Sequence, residues 1–294
     1  MSDTRKTIEA LDIWKGAVAV EPLTGGLSNE SYAVADADGK YVVRFGRDFP
    51  FHHVFRDREV MTARAAHAAG FAPEVVHDAP GLMVSRFITG KTYDAQDVTN
   101  QVETIVPLVR QFHDTMPRFV SGAGFMFWVF HVVRDYARTL KAGGSRFSAQ
   151  LGAYLDLADE MERAQVPLPI VFGHNDLLPA NFIDDGERLW LIDFEYAGFS
   201  TAMFDLAGIA SNAGFDEQAD QHLLALYFGS APAAELLRSH AAMKCASLLR
   251  EAMWSMVSEL HLNAPGANYE AYTKDNLDRL TVAVDSFYSR FGKV

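Results

Sequence analysis

Side chains capable of chemistry crowd into one stretch, His174-Asn175-Asp176-Leu177-Leu178-Pro179-Ala180-Asn181, followed by Leu191-Ile192-Asp193-Phe194-Glu195-Tyr196. A carboxylate and an amide lie five positions apart across a tight loop, and a second carboxylate ends the next apolar segment. Phosphoryl transfer asks for this set. It needs a group that orients and deprotonates the attacking hydroxyl, and hard oxygen ligands for the Mg²⁺ that neutralises a triphosphate. Asp176 reads as the base, and Asn181 with Asp193 as the metal ligands. Asn, Asp and Pro in so short a span are also ordinary turn formers. The combination, set between two short apolar strands, is what points to a reaction.

Upstream, Thr24-Gly25-Gly26-Leu27-Ser28-Asn29-Glu30 lies between two strand-like segments, and glycines there let backbone N–H groups approach phosphates. It lacks the G-x-G-x-x-G spacing, and an ordinary hairpin turn is the alternative. Arg44 sits in the apolar run Tyr41-Val42-Val43-Arg44-Phe45, a costly place for a cation unless it meets an anion. A phosphate would serve, and Glu59 on the following helix is the matching carboxylate. If the strand is an edge, Arg44 instead faces solvent.

These residues need a scaffold, and the patterning supplies one. Segments Ala17 to Glu21, Glu30 to Val34 and Tyr41 to Phe45 read as a meander, and Arg56 to Ala69 as a helix closed by Gly70. Two more short strands, near Glu74 to His77 and Leu82 to Phe87, complete a five-stranded antiparallel sheet. Beyond Thr99 the spacing turns helical: Val102, Ile105, Val106 and Val109 share one face, with further helices near 127–142, 147–164 and from 203 onward. Ile170 to Phe172, Phe182-Ile183 and Leu189 to Ile192 interrupt them as short strands that carry the reactive loops. The expectation is an α+β, two-lobed chain: residues 1–88 a nucleotide-binding lobe, 89–294 a catalytic and substrate-binding lobe.

Composition narrows the partners. The 49% hydrophobic and 22% charged content is that of a soluble globular protein. A formal net charge of −12 disfavours a nucleic-acid surface and favours a cationic ligand, although acidity also serves solubility. No uncharged apolar run reaches membrane length and the start is polar, so no membrane insertion and a cytoplasmic location are expected. The single cysteine, Cys245, sits among Ala246, Leu248 and Leu249 and reads as an inert core residue. Oligomeric state is not readable.

The segment His-x-Asp-x-x-x-x-Asn followed by Asp-Phe-Glu resembles the aminoglycoside phosphotransferase and choline kinase group of the protein-kinase-like superfamily, from about Leu23 to Leu260. The ending Ile-Asp-Phe-Glu-Tyr is most similar to choline and ethanolamine kinases. The resemblance implies ATP and Mg²⁺ as cofactors, Asp176 as catalytic base, Asn181 and Asp193 as ligands, and a structural His174. It also implies that Gly25, Gly26, Leu27, Ser28 and Asn29 form a phosphate loop, with Arg44 and Glu59 beside it. Val84 to Ile88, including Ser85 and Phe87, would be the adenine-binding hinge.

On the acceptor side, Glu195 and Tyr196 place a carboxylate and an aromatic ring near the metal ligands, which suits a cation. Trp254 lies on a helix whose apolar stripe is Leu249, Met253, Met256, Val257 and Leu260, so it turns toward Ser247, Arg250, Glu251, Ser258 and His261. Relatives carry paired tryptophans on this helix for cation–π contact with quaternary ammonium. Trp254 matches the second, while Glu251 stands in place of the first and suits a primary amine or a choline held partly by charge. Packing against a neighbouring helix is the alternative for Trp254, and Phe125, Phe127, Trp128 and Phe130 read as core. The expected acceptor is an amino alcohol, choline first and ethanolamine next. The rivals are another hydroxylated acceptor (aminoglycoside, thiamine, homoserine) and a non-catalytic nucleotide-binding scaffold.

Overall fold

The computed structural model describes residues 3–23, 29–262 and 267–293, so Gly25, Gly26, Leu27 and Ser28 of the expected phosphate loop lie outside the described residues. After helix α1 (Asp3–Glu9), strands β1 (Ala19–Leu23), β2 (Glu30–Ala35) and β3 (Lys40–Phe45) precede helix α2 (Arg56–Ala68). Strands β4 (Val75–Ala79) and β5 (Leu82–Arg86) then complete an antiparallel sheet of order β1-β2-β3-β5-β4. β3 is therefore interior, and Arg44 is not on an edge.

Side chains alternate across a strand, so the sheet has two distinct faces. Tyr41, Val43, Val34, Leu82 and Val84 pack with Ile8 in a small core. The register Ser31↔Arg44↔Met83 and Val42↔Ser85 puts the opposite set on the other face, where all five line a cavity. α2 bridges this sheet to the rest, since Ala63, Ala65 and Ala66 belong to the larger core.

The remainder is mainly helical, with strand β6 (Lys91–Thr92), α3 (Ala95–Asn100), α4 (Val102–Thr115), α5 (Val129–Ala142) and α6 (Leu151–Arg163). Strands β7 (Ile170–Gly173), β8 (Phe182–Asp184), β9 (Leu189–Leu191) and β10 (Gly198–Thr201) follow, then α7 (Ala202–Ala213), α8 (Glu217–Phe228), α9 (Ala234–His261) and α10 (Tyr269–Phe291). β6 and β10 escape sequence reading because neither is an apolar run: β6 is Lys91-Thr92, and β10 carries one large apolar residue, Phe199. β10 pairs with β7, and β6-β8-β9 form a small sheet that frames the reactive loop.

α9 is buried almost without interruption from Ser239 to Ser258. The polar stripe expected beside Trp254 is thus an internal one: Ser247, Arg250, Glu251 and Ser258 are all buried. Cys245 is fully enclosed, and burial pushes its thiol up to about 12, as an inert core residue requires. No helix among the described residues is long and apolar enough to cross a membrane.

Candidate active site

The loop after β7 is held by one buried carboxylate. Asp205, in the first turn of α7, accepts from the backbone N–H groups of His174 (2.8 Å) and Asn175 (2.7 Å). Its Oδ2 also meets His113 Nε2 at 2.8 Å. Burial works against its charge, but the bond from His113 and the nearby imidazoles hold its carboxyl below the usual range. Asn175 adopts φ +61°, a left-handed conformation that Asn tolerates, and its amide nitrogen donates to Tyr196 O at 3.1 Å. His174 is fully buried, and burial lowers its basicity against the pull of Asp205. Its Nε2 donates to Ile192 O at 2.9 Å, pinning the two halves of the motif together, as the structural reading of His174 expects.

Behind this loop, Arg44 reaches out of the sheet into a carboxylate cluster. Its Nη1 lies 2.8 Å from Glu59 Oε1, and its Nη2 lies 3.0 Å from Asp193 Oδ1 and 3.2 Å from Glu195 Oε2. Desolvation opposes the charge, yet Asp193, Glu59 and Glu195 together hold the guanidinium proton above its ordinary strength. Arg56 joins the same cluster through Glu59 and through Glu195 at 3.0 Å. Asn29 Nδ2 also approaches Glu195 Oε2, at 3.4 Å. Glu195 is thus engaged by two arginines and an amide, so it ties the sheet to the loop before it can serve an acceptor.

On the other side of the loop stands Asp176. Burial pushes its carboxyl well above the usual range; Arg250 opposes this, while Glu251, Asp193 and Glu195 add to it. Arg250 Nη1 lies 3.9 Å from Asp176 Oδ1 and also contacts Glu251 Oε1 closely. The second oxygen of Glu251 accepts from Tyr272 OH at 2.9 Å. Trp254 Nε1 donates to Tyr196 OH at 2.9 Å, and its ring meets that of Tyr272 edge-on at 5.9 Å. His52, from the turn before α2, stacks behind Trp254 at 5.2 Å and donates or accepts through Ser258 and Tyr136. The packing and lining readings of Trp254 therefore both describe it: one face is buried against His52, and the residue still borders the cavity.

Asn29, Arg44, Glu59, Asp176, Asp193 and Glu195 border a single cavity of about 550 Å³ together with Tyr196, Arg250, Glu251, Trp254 and Tyr272. Its walls change character from end to end. Val42, Ala63, Val75 and Met83 face Ile183 and Ile192 in an apolar slot beside Ser85, Phe87 and Ile88. Next come Arg44, Asn181, Asp193 and Asp176, and last Tyr196, Arg250, Glu251, Trp254 and Tyr272. At the slot's rim, the N–H groups of Arg86 and Phe87 donate to Glu74 O and Lys40 O. Among the described residues, Ile88 N–H makes no backbone hydrogen bond, so Ile88 rather than Phe87 has a main-chain donor to offer a base.

The donor set suits Mg²⁺. Asn181 Nδ2 donates to Asp176 O at 2.7 Å, which leaves the hard carbonyl oxygen of the amide for a cation. Asp193, at φ +69°, is about one-third exposed, and Arg44 takes one oxygen and leaves the other. Among the described residues no group of three or more His, Cys, Asp or Glu side chains is placed to hold a metal. An ion here would draw most of its shell from phosphates and water, as Mg²⁺ in such sites does.

Of the residues singled out from the sequence, Asn29, Arg44, Glu59, Ser85, Phe87, Asp176, Asn181, Asp193, Glu195, Tyr196, Glu251 and Trp254 all line this cavity. Sequence reasoning missed Arg250 and Tyr272 as wall residues and Asp205 as the anchor of the loop. The adjacent pair Arg250-Glu251, set between Leu248-Leu249 and Ala252-Met253, was the available signal for Arg250. Nothing local marked Tyr272, which the α9–α10 hairpin brings in.

Comparison with known proteins agrees with this architecture. The family model described as "Phosphotransferase enzyme family" matches residues 19–238. Protein LicA of Haemophilus influenzae is 24% identical over 270 residues, covering 86% of this chain and 76% of that protein. A choline/ethanolamine kinase family protein from Mesorhizobium loti superposes with a TM-score of 0.77 at 26% identity, covering 96% and 94% of the two chains. Choline kinase LicA from Streptococcus pneumoniae gives 0.78 at 20% identity over 97% and 100%. The fold is that of the protein-kinase-like phosphotransferases.

Proposed function

The chain belongs to the phosphotransferase enzyme family, and we propose that it moves the γ-phosphate of ATP to the hydroxyl of a small amino alcohol, choline first and ethanolamine second. One observation carries the reading. A single cavity joins an apolar slot, a base with two hard-oxygen groups, and an end walled by Trp254, Tyr272, Tyr196 and Glu251. Adenine, triphosphate and a cationic alcohol fit those three zones in that order. Structures named for choline or ethanolamine superpose at TM-scores of 0.77 and 0.78, against 0.59 for a spectinomycin phosphotransferase, which supports the amino alcohol over an aminoglycoside.

In this reading Asp176 receives the proton of the acceptor hydroxyl as the oxygen attacks. Its burial among carboxylates strengthens it as a base. Asn181 and Asp193 would hold Mg²⁺, which when bound supplies positive charge to the phosphate oxygens. Arg44 orients Asp193 and lends its own charge to the phosphates, while Glu59 fixes Arg44. Asp205 keeps the loop bearing Asp176 in place, so the base approaches the hydroxyl from a rigid platform. The aromatic end excludes water and positions the alcohol. Consumption of ATP implies a cytoplasmic setting.

The test is ADP release with MgATP against a panel of choline, ethanolamine, thiamine, homoserine and an aminoglycoside. Turnover of choline or ethanolamine above the others supports the proposal. Preference for another member overturns the acceptor, and silence with every member while MgATP still binds favours a nucleotide-binding scaffold.

A further inference from the structure

Arg250 stands where a cationic acceptor is expected to sit. Its side chain is 2% exposed and borders the cavity. Its guanidinium carbon lies 4.3 Å over the ring of Tyr196. Its Nη1 contacts Glu251 and faces Asp176 at 3.9 Å. A carboxylate and an aromatic face are what an ammonium group seeks. Here both are already engaged, and the other oxygen of Glu251 is taken by Tyr272.

We infer that Arg250 is a resident cation of the acceptor pocket, a specificity-determining residue that competes with the acceptor's ammonium group for Glu251 and Tyr196. The inference rests on the reading of the acceptor as a cation. The manner in which Arg250 is held supports it. Arg44 engages three carboxylates through both terminal nitrogens. Arg250, by contrast, has Nε and Nη2 buried with no hydrogen-bond partner among the described residues. Charge and stacking hold it more than hydrogen bonds do, so it can yield its place at a smaller loss than Arg44 could. A primary ammonium can replace the N–H that Arg250 gives to Glu251. A quaternary ammonium has no N–H to give Glu251, so the resident cation narrows the preference for choline over ethanolamine that the aromatic walls supply.

The experiment is calorimetric titration of the full chain with tetramethylammonium and with methylammonium, cations that carry no hydroxyl and need no turnover. Arg250→Met and Arg250→Gln both remove the charge, and either suffices if the other fails to fold. Arg250→Lys keeps it. Removing a unit charge a few ångströms away predicts at least about tenfold tighter tetramethylammonium binding in the neutral variants, a smaller gain for methylammonium, and no such gain in Arg250→Lys. Unchanged or weaker tetramethylammonium binding in a folded neutral variant overturns the inference. The two failures are separable. Tightening with a silent acceptor panel sinks the amino-alcohol kinase reading alone, whereas choline turnover without tightening sinks only the role of Arg250.

Discussion

Arg44 Nη2 and Asp193 Oδ1 stand 3.0 Å apart, joining the sheet to the reactive loop across 149 positions of sequence. Replacing Arg44 with Met leaves Glu59, Asp193 and Glu195 buried or half-buried without their shared cation. Breaking such a pair costs about 3–5 kcal/mol. Urea denaturation should show a loss of that order, and the KM for ATP should rise in whatever protein remains folded. Unchanged stability would mean that Arg56 alone neutralises the cluster.

Asp176→Asn keeps the shape of the loop and removes the base. General-base loss predicts a fall in kcat of about 10²- to 10⁴-fold. MgATP affinity, measured by calorimetry, should change by only a few fold. A variant that keeps most of its kcat would remove Asp176 from the role given to it.

Asp205 touches no part of the cavity, yet two backbone N–H groups and His113 depend on it. Asp205→Asn retains one acceptor oxygen and loses the charge that strengthens all three bonds, at about 3 kcal/mol. Thermal melting should report that loss. The kinetic signature is a fall in kcat with KM for ATP nearly unchanged, because the loop that carries Asp176 shifts while the nucleotide slot does not.

Trp254 walls the acceptor end and is 7% exposed. Trp254→Leu keeps apolar bulk and removes the ring face. A cation–π contribution of about 2 kcal/mol corresponds to about a 30-fold rise in KM for a cationic acceptor. The KM for ATP is the control and should hold. Equal rises in both would mark Trp254 as a packing residue only.

Stability should also fall in mild acid. Burial lowers the pKa of His240 to about 3, while the unfolded chain titrates near 6.5. Below that unfolded value the unfolded state binds the proton and the folded state does not. The contribution of His240 is therefore present above about pH 6.5 and is lost progressively as pH drops toward 3. Between about pH 7.5 and pH 5 the loss is about 2 kcal/mol for this one residue. His52 and His174, lowered by burial too, add in the same direction. His240→Leu should flatten the dependence of melting temperature on pH by its share; an unchanged slope would mean that His240 titrates normally in the fold.

The sheet and the reactive loop were legible because each is written locally. Alternation along Tyr41 to Phe45 and the turn chemistry around Asp176 to Asn181 depend on neighbours in sequence. Glu195 shows the limit of such reading. Its position next to Phe194 announced nearness to the metal ligands, but Arg56 and Arg44, which engage it, lie 139 and 151 positions away. α9 shows another: a helical stripe presumes one wet face, and the span Ser239 to Ser258, packed among α5, α6, α7 and α10, has none. The polar residues beside Trp254 are therefore an internal charge cluster, with partners on other elements that no spacing along α9 records. The same holds for Tyr272, delivered by the hairpin of α9 and α10.

Transfer of the γ-phosphate tests the central claim most directly. The chain is given γ-labelled ATP, Mg²⁺ and choline or ethanolamine, and the product is read by phosphorus NMR. The account predicts a phosphomonoester on the acceptor hydroxyl, formed one for one with ADP and absent with Asp176→Asn. Release of inorganic phosphate alone, or equal product from Asp176→Asn, would contradict it.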